Sequence, residues 1–498
     1  MTKILFRVTL TAIFGALLFV GALSAEEAKK PKNLILMVGD GMGINCDTAG
    51  TYFRFGESQA QRYHKFRFLT SATFSLEQAD FDESKDVGYI PEKFWEGLKG
   101  GESHTDATHV TDSAASGTAL NAGQKTKYLR IGCDFEGKPL KLLSQYAEAA
   151  GMSVGAVSSV QIANATPAAV MAHQFTRSLL KEISREQILD QQGLTVLMGA
   201  GNPEYDNGVK IDKPAEELNY DNVGGRVIWE ALKKDNGFAG VKFIQEKADF
   251  DKLAAATPDK KMAMPKRLVG VAQSVETLFP VDGAPDAETT EVFEKALGEN
   301  GKETLDHIPT LSTLAVGALN VLGRNDKGFY LMVEGGAIDH ANHGNNIERS
   351  VLEHTAFSKA VESVIDWVEK YSSWDETLLI ITVDHETGQL WGAGTYDDAN
   401  ANNRPDEDEK FNGFQHIKNN GKGSVPGGQY ATGGHSNGLV PVWINGAGAE
   451  CVDQFIRGKD DQAAKFYGED GFKYGGEFIY NSDIPKIFKA AAGFADEK

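Results

Sequence analysis

Short β-rich runs alternate with helical stretches along most of this chain, and that alternation predicts an α/β fold: a large, mostly parallel central sheet flanked by helices. The clearest runs are Asn33–Val38, Val154–Ser159, Leu194–Met198, Leu268–Ala272, Phe329–Val333 and Thr377–Val383, with helices expected at Leu140–Ala150 and Arg349–Lys370. Open sheets of this kind bind ligands beyond the carboxyl ends of their strands. Four of the runs lead straight into side chains suited to that task. Asn33–Val38 runs into Gly39-Asp40-Gly41, and Val154–Ser159 leads toward Asn164-Ala165-Thr166. Phe329–Val333 stops at Glu334-Gly335-Gly336, and Thr377–Val383 stops at Asp384-His385. Asp-Gly is also plain turn chemistry, so one such ending is weak; four together are hard to dismiss.

Composition narrows the function. The chain has 498 residues, 41% of them hydrophobic and 24% charged, as in ordinary globular proteins. Its formal charge is −20, which argues against nucleic acid as a partner because phosphate backbones demand a basic footprint. An anionic substrate would need a local device, such as bound cations. Residues 1–25 read as a secretory signal: Lys3 and Arg7 lead an apolar run from Val8 to Leu23, and Ala22-Leu23-Ser24-Ala25 supplies small residues for cleavage. Its removal takes away two positive charges and places the mature chain in the periplasm or outside the cell, without stable membrane association. Cys46, Cys133 and Cys451 are too few and too far apart for a disulfide framework or a zinc ribbon. The stretches 53–109 and 396–430 read as insertions in a catalytic domain covering 30–498.

Candidate ligands concentrate in a few motifs. Asp339 and His343 stand four apart in EGGAIDHANH, a spacing that puts both on one helical face or into one tight loop. Asp384-His385 is a second carboxylate–imidazole pair, and His435 stands in Gly433-Gly434-His435-Ser436. Carboxylate and imidazole without thiolate suit zinc in open sites, whereas all-oxygen sets suit magnesium. Other histidines, such as His64, His307 and His416, read as structural. Ser113 follows Asp112 and opens the small-residue run AASGTA, where helix N–H groups and the positive helix end favour an arriving phosphate. No Gly-x-Ser-x-Gly elbow surrounds it, so a hydrolase triad is unsupported. Gly39-Asp40-Gly41-Met42-Gly43 is not a dinucleotide fingerprint either, since Asp40 stands where phosphate would sit.

The motifs DGMG, TDSAASGTA, NATPAAVMAHQFTR, VEGGAIDHANH, VDHETG and GGHSNG occur in the order and approximate spacing of alkaline phosphatases, and the chain resembles that family over nearly all of its mature length. The resemblance implies a three-layer α/β sandwich and a metal-dependent phosphomonoester hydrolase of broad specificity that works through a phosphoserine. It implies that Ser113 is phosphorylated and that Arg177 clamps phosphate oxygens. Asp339, His343 and His435 resemble the ligands of one zinc, and Asp40, Asp384 and His385 those of a second. Asp40 also bridges to a magnesium whose other protein ligands resemble Thr166 and Glu334. The family is commonly dimeric.

Two positions depart from the pattern. His340 stands where some members have Lys and others His, and a His is expected to reach phosphate less directly than Lys, through water. Asn164 stands where Asp or His is usual, in the outer shell of the magnesium, so that metal should be held more weakly. A sulfatase would need Cys or Ser in a C/S-x-P-x-R context, which neither Ser113 nor any cysteine has. A pure phosphate- or metal-binding protein would need no nucleophile. Diester hydrolysis is expected only as a weak side activity.

Overall fold

The computed structural model describes residues 30–98, 108–190, 194–234, 237–258, 265–278, 307–397 and 410–495. The expected signal segment lies outside them. The main sheet has eleven strands: β1 (Asn33–Gly39), β2 (Arg67–Ala72), β3 (Ser153–Gln161), β4 (Val196–Ala200), β5 (Lys242–Ile244), β6 (Leu268–Val271), β7 (Phe329–Gly335), β8 (Thr377–Thr382), β9 (Val440–Gly446), β10 (Gly458–Lys459) and β11 (Glu477–Tyr480). Across the sheet they run β10-β11-β2-β9-β8-β1-β7-β3-β4-β6-β5. From β8 to β5 every neighbouring pair is parallel, while β9 is antiparallel to both β8 and β2. The mostly parallel sheet expected from the sequence is therefore present.

The central strands are apolar at every step because both faces are covered. Ile35, Met37, Leu331, Val333, Leu379 and Ile381 pack on one side. Leu34, Leu36, Val38, Tyr330, Met332, Leu378 and Ile380 pack on the other. Period-two alternation thus divides one hydrophobic run between two cores. The first core is closed by the helices Leu311–Leu322 and Ile347–Tyr371, the second by Ile484–Ala492.

Register is what positions the site. Val38 pairs with Glu334 on one side and Thr382 on the other, and Glu334 pairs with Ser158. The ends of β8, β1, β7 and β3 are therefore level, and strand spacing of about 4.8 Å brings their terminal side chains within reach of one another. Within the stretch 53–109, Arg67–Ala72 is itself a strand of the main sheet. No helix among the described residues is long and apolar enough to cross a membrane.

Candidate active site

Asp40 follows β1 and Asp384 follows β8, with Glu334 the penultimate residue of β7. The loop after β1 turns on Gly41, whose φ of +70° belongs to the left-handed region. A Cβ there would meet the Asp339 backbone at 2.7 Å, so glycine lets Asp40 and Asp339 approach. Asp339 and His343 lie on the short helix Ala337–His343, the first of the two arrangements their spacing allowed. Ser113 is the first residue of the helix Ser113–Ala122, and Asp112 is its cap, accepting from the Ala115 N–H at 3.1 Å. The small residues of this helix serve packing: a Cβ on Gly117 would stand 3.1 Å from that of Ala169 and 3.4 Å from the Thr166 backbone.

These elements bring nearly all the sequence candidates together. Asp40, Asp384 and His385 form one compact group, and Asp339, His385 and His435 a second, each with its ligating atoms within 4.8 Å of one another. His385 Nε2 lies 3.1 Å from Asp384 Oδ2, 3.6 Å from Asp40 Oδ1 and 3.1 Å from Ser113 Oγ. His343 completes the second group from its exposed side, with Nε2 3.3 Å from Asp339 Oδ2 and 3.0 Å from His435 Nε2. The sequence assigned His385 to the first group alone; the fold stacks its ring on His435 at 3.7 Å and places it between the two. Behind Asp40, Thr166 and Glu334 are buried, and the Ser158 hydroxyl donates to Glu334.

The orientation of the imidazoles fits cations. His435 Nδ1 bonds the Thr111 carbonyl at 2.8 Å, and His343 Nδ1 the Gly433 carbonyl at 2.7 Å. His385 Nδ1 lies 3.2 Å from the Thr387 hydroxyl. With each Nδ1 engaged, the Nε2 atoms face inward, as outer partners commonly arrange for metal-binding histidines. The oxygens Asp40 Oδ1, Thr166 Oγ1 and Glu334 Oε1 are buried without a hydrogen-bond partner among the described residues. Such orphaned acceptors are costly unless a cation satisfies them. Carboxylate and imidazole around His385 suit zinc, and the oxygen-only set of Thr166, Glu334 and Asp40 suits magnesium.

Protonation follows the same crowding. Burial, then the Asp384 and Asp339 charges, push the Asp40 carboxyl well above its ordinary value. Burial and Asp339 push Asp384 up to about 7, and burial raises Glu334. For Asp339 burial pulls the same way, but hydrogen bonds from His343 and His435 outweigh it and hold the carboxyl well below the usual range. His343, bonded to Asp339, is pushed up to about 9, whereas burial and the neighbouring His435 hold His385 well below an ordinary imidazole.

Arg177 reaches the same hollow. Its Nη1 donates to Asp112 Oδ2 and its Nη2 to Asn164 Oδ1, each at 3.2 Å. Asn164, expected in the outer shell of a metal, is thus occupied by Arg177, by the Ala165 N–H at 2.6 Å and by Gln161 at 3.1 Å. His340 is exposed beside Asp339. Sequence reasoning missed the supporting residues. Asp112 was legible as a cap-type residue before a helix. Thr387, which donates to Asp339 Oδ1 at 2.6 Å, stands in the DHET motif without a sign of its role. Ser158 is chosen only by strand register.

Residues 31–435 match the family described as Alkaline phosphatase. Alkaline phosphatase 3 of Bacillus subtilis is 27% identical over 374 residues, covering 73% of this chain and 64% of its own length. Alkaline phosphatase of Escherichia coli is 26% identical over 72% of this chain and 70% of its own. The chain thus spans less than two thirds of the Bacillus relatives it matches, 64% and 63%. Among solved structures, the alkaline phosphatase of Thermus thermophilus shares the fold with a TM-score of 0.59 at 18% identity, over 98% of this chain and 97% of that one. The enzyme of the Antarctic bacterium TAB5 gives 0.56 at 19% identity, over 94% and 100%.

Proposed function

The chain belongs to the alkaline phosphatase family, and from that premise we propose that it hydrolyses phosphate monoesters through a phosphoserine on Ser113. One observation carries the reading: a buried serine at a helix N-terminus lies 3.1 Å from His385, the residue shared by two cation-suited groups, and its capping residue Asp112 also holds Arg177. Pure binding would need no such nucleophile.

Each residue has a task in this reading. Asp339, His343 and His435 would hold one zinc, and Asp40, Asp384 and His385 another. Asp40, Thr166 and Glu334 would hold magnesium. When bound, these cations supply the positive charge that favours the Ser113 alkoxide and the departing oxygen. Arg177 offers two N–H donors to non-bridging phosphate oxygens, a planar match that lysine cannot copy. Asp112 fixes both partners, since one carboxylate caps the serine helix and grips the guanidinium. Ser113 Oγ attacks phosphorus in line as the alcohol leaves; water then opens the phosphoserine and restores the hydroxyl. His340, exposed at the rim, would meet substrate through water. Residues 1–25 would direct export to the periplasm or medium and be removed, leaving residues 30–498 as one catalytic domain.

Incubation with labelled inorganic phosphate at mildly acidic pH tests the proposal. One phosphoserine should be trapped at Ser113, and Ser113→Ala should trap none and lose turnover. Wild-type turnover by the alanine variant would refute it.

A further inference from the structure

Asp112 and Asn164 grip Arg177 at its guanidinium, but the stretch of chain that delivers it is held by other side chains. Ile131 and Gln174 exchange backbone hydrogen bonds at 3.0 and 2.9 Å, and the Arg177 N–H donates to the Leu129 carbonyl at 3.0 Å. From the other side the stretch is held by the helix Leu180–Leu189. Glu186 on that helix accepts from the His173 main-chain N–H at 3.0 Å and from the Gln174 amide at 3.0 Å, and meets His173 Nδ1 at 3.2 Å. His173 Nε2 lies 2.9 Å from the Leu140 carbonyl. His173 stands four residues before Arg177 in the chain, and Glu186 nine after it.

Both ring nitrogens of His173 thus face acceptors, one a carboxylate and the other a carbonyl. A neutral imidazole has one donor nitrogen and can serve only one of them, whereas the imidazolium serves both. Burial works against that charge, but the bonds to Glu186 and Leu140 outweigh it and raise the imidazole above its ordinary value. The charges that reach it are those of Glu186 and Asp190. Burial would raise the Glu186 carboxyl, but the bonds from His173 and Gln174 hold it below its ordinary value. The Cys133 thiol, which also feels Glu186, is pushed up to about 11, first by burial, and adds no charge near neutrality.

We propose that His173 and Glu186 are positioning residues for the phosphate clamp: the protonated His173 ring, held between Glu186 and Leu140, fixes the stretch that delivers Arg177, and loss of its proton loosens the grip on phosphate. The support is full at low pH and fades as the pH rises through the raised value. The proposal rests on the reading of Arg177 as a phosphate ligand and adds a pH-dependent support to it.

Equilibrium dialysis of labelled inorganic phosphate against zinc- and magnesium-loaded protein tests it, with Ser113→Ala in every chain so that no phosphoserine forms. Glu186→Gln keeps the side-chain shape at a partly exposed position, and His173→Gln is neutral at every pH. Each should raise Kd about 3–10-fold at about pH 6, the scale of one net hydrogen bond. At about pH 10 each should raise it less than about 2-fold, because the unsubstituted His173 has by then lost its proton. Titration of phosphate itself is common to all chains and cancels in the ratio. In an Arg177→Ala background neither substitution should change Kd further, since the effect passes through the guanidinium. Arg177→Ala alone, with His173 and Glu186 intact, should cost more at the lower pH than at the higher. A ratio that stays constant with pH, no effect at the lower pH, or an effect that persists without Arg177 would overturn the proposal. Expected ratios from a chain that hydrolyses no phosphate ester when Ser113 is restored would keep the clamp and remove the phosphomonoesterase reading.

Discussion

Asp40 and Asp47 lie seven residues apart, both buried, and their surroundings are opposite. Asp47 receives the Tyr63 hydroxyl at 2.7 Å and His354 Nε2 at 3.1 Å on one oxygen, and His64 Nε2 at 2.8 Å on the other. Burial alone would raise its carboxyl, but the attraction of His64 and the hydrogen bond from His354 outweigh it and hold Asp47 well below the ordinary range. Asp40 has an oxygen without a hydrogen-bond partner among the described residues, and three acids for neighbours. In the first cluster the Asp47 carboxylate has its donors without a ligand, and it ties the helix Ile44–Phe55 to the helix Ile347–Tyr371 and the turn Arg62–Lys65. The second is complete only with cations. Buried carboxylates mark structure when their donors are present and a binding site when they are missing.

Asp384→Asn is the most direct attempt to break that contrast. It should lower activity by roughly 10²–10³-fold or more, as loss of a directly stabilising charge does, while raising the melting temperature of chelator-treated protein by relieving repulsion. A fall in the stability of the metal-stripped protein would show that the acids are already satisfied.

Asp47→Asn should do the reverse. It turns a hydrogen-bond acceptor toward donors and should destabilise the fold by about 3–5 kcal/mol, measured by denaturant unfolding, while surviving folded protein still traps phosphate. Because the Asp47 carboxyl is held below its unfolded value, its stabilisation is present above about pH 4 and fades as the pH falls further. The acid-side loss of stability should therefore shrink in Asp47→Asn. An unchanged acid limb would contradict the assignment.

Asn164→Asp sharpens the comparison by adding charge without changing shape. It should reduce the magnesium requirement by about 10–100-fold, read from magnesium titration at fixed zinc, and leave Arg177 with an acceptor. Superimposable titration curves would leave Asn164 only its contact with Arg177.

Lys125 provides an intermediate case. It is 1% exposed, donates to the Ala72 carbonyl at 3.1 Å and lies over the Phe74 ring. Burial pushes its amine down to about 7. The cost of the buried charge is full below that value and fades as the pH rises toward about 10.4, the ordinary lysine value. Lys125→Met should therefore stabilise the protein by on the order of 1 kcal/mol at pH 6 and by less at pH 10. An equal gain at both would mean that the amine carries no penalty.

The fold was legible where strands are continuous apolar runs, as at Asn33–Gly39 and Thr377–Thr382, because both faces are buried. It was illegible at Arg67–Ala72, whose outer residues are charged or half-exposed, and at Val440–Gly446, where Pro441 argues against a strand. Pro441 is tolerated although the strand lies inside the sheet, and its carbonyl accepts from Thr382. The site candidates were legible because their chemistry is local to short motifs. Their partners were not: Thr111 meets His435, and Ser158 meets Glu334, only once distant segments are brought into register. Nor did local sequence show that Asn164 faces Arg177, since that pairing depends on how the loop after β3 folds back.

The level ends of β8, β1, β7 and β3 also dictate an order of events. Asp40 comes from near one end of the chain and His435 from near the other, so no compact donor set exists until remote segments have zipped together. Such long-range pairing is slow and precedes its own reward. Bound cations would therefore grip a chain that has already crossed its folding barrier, and interactions absent from that barrier act on the reverse rate. Added zinc or magnesium should leave refolding as slow as before and make the finished protein much slower to come apart.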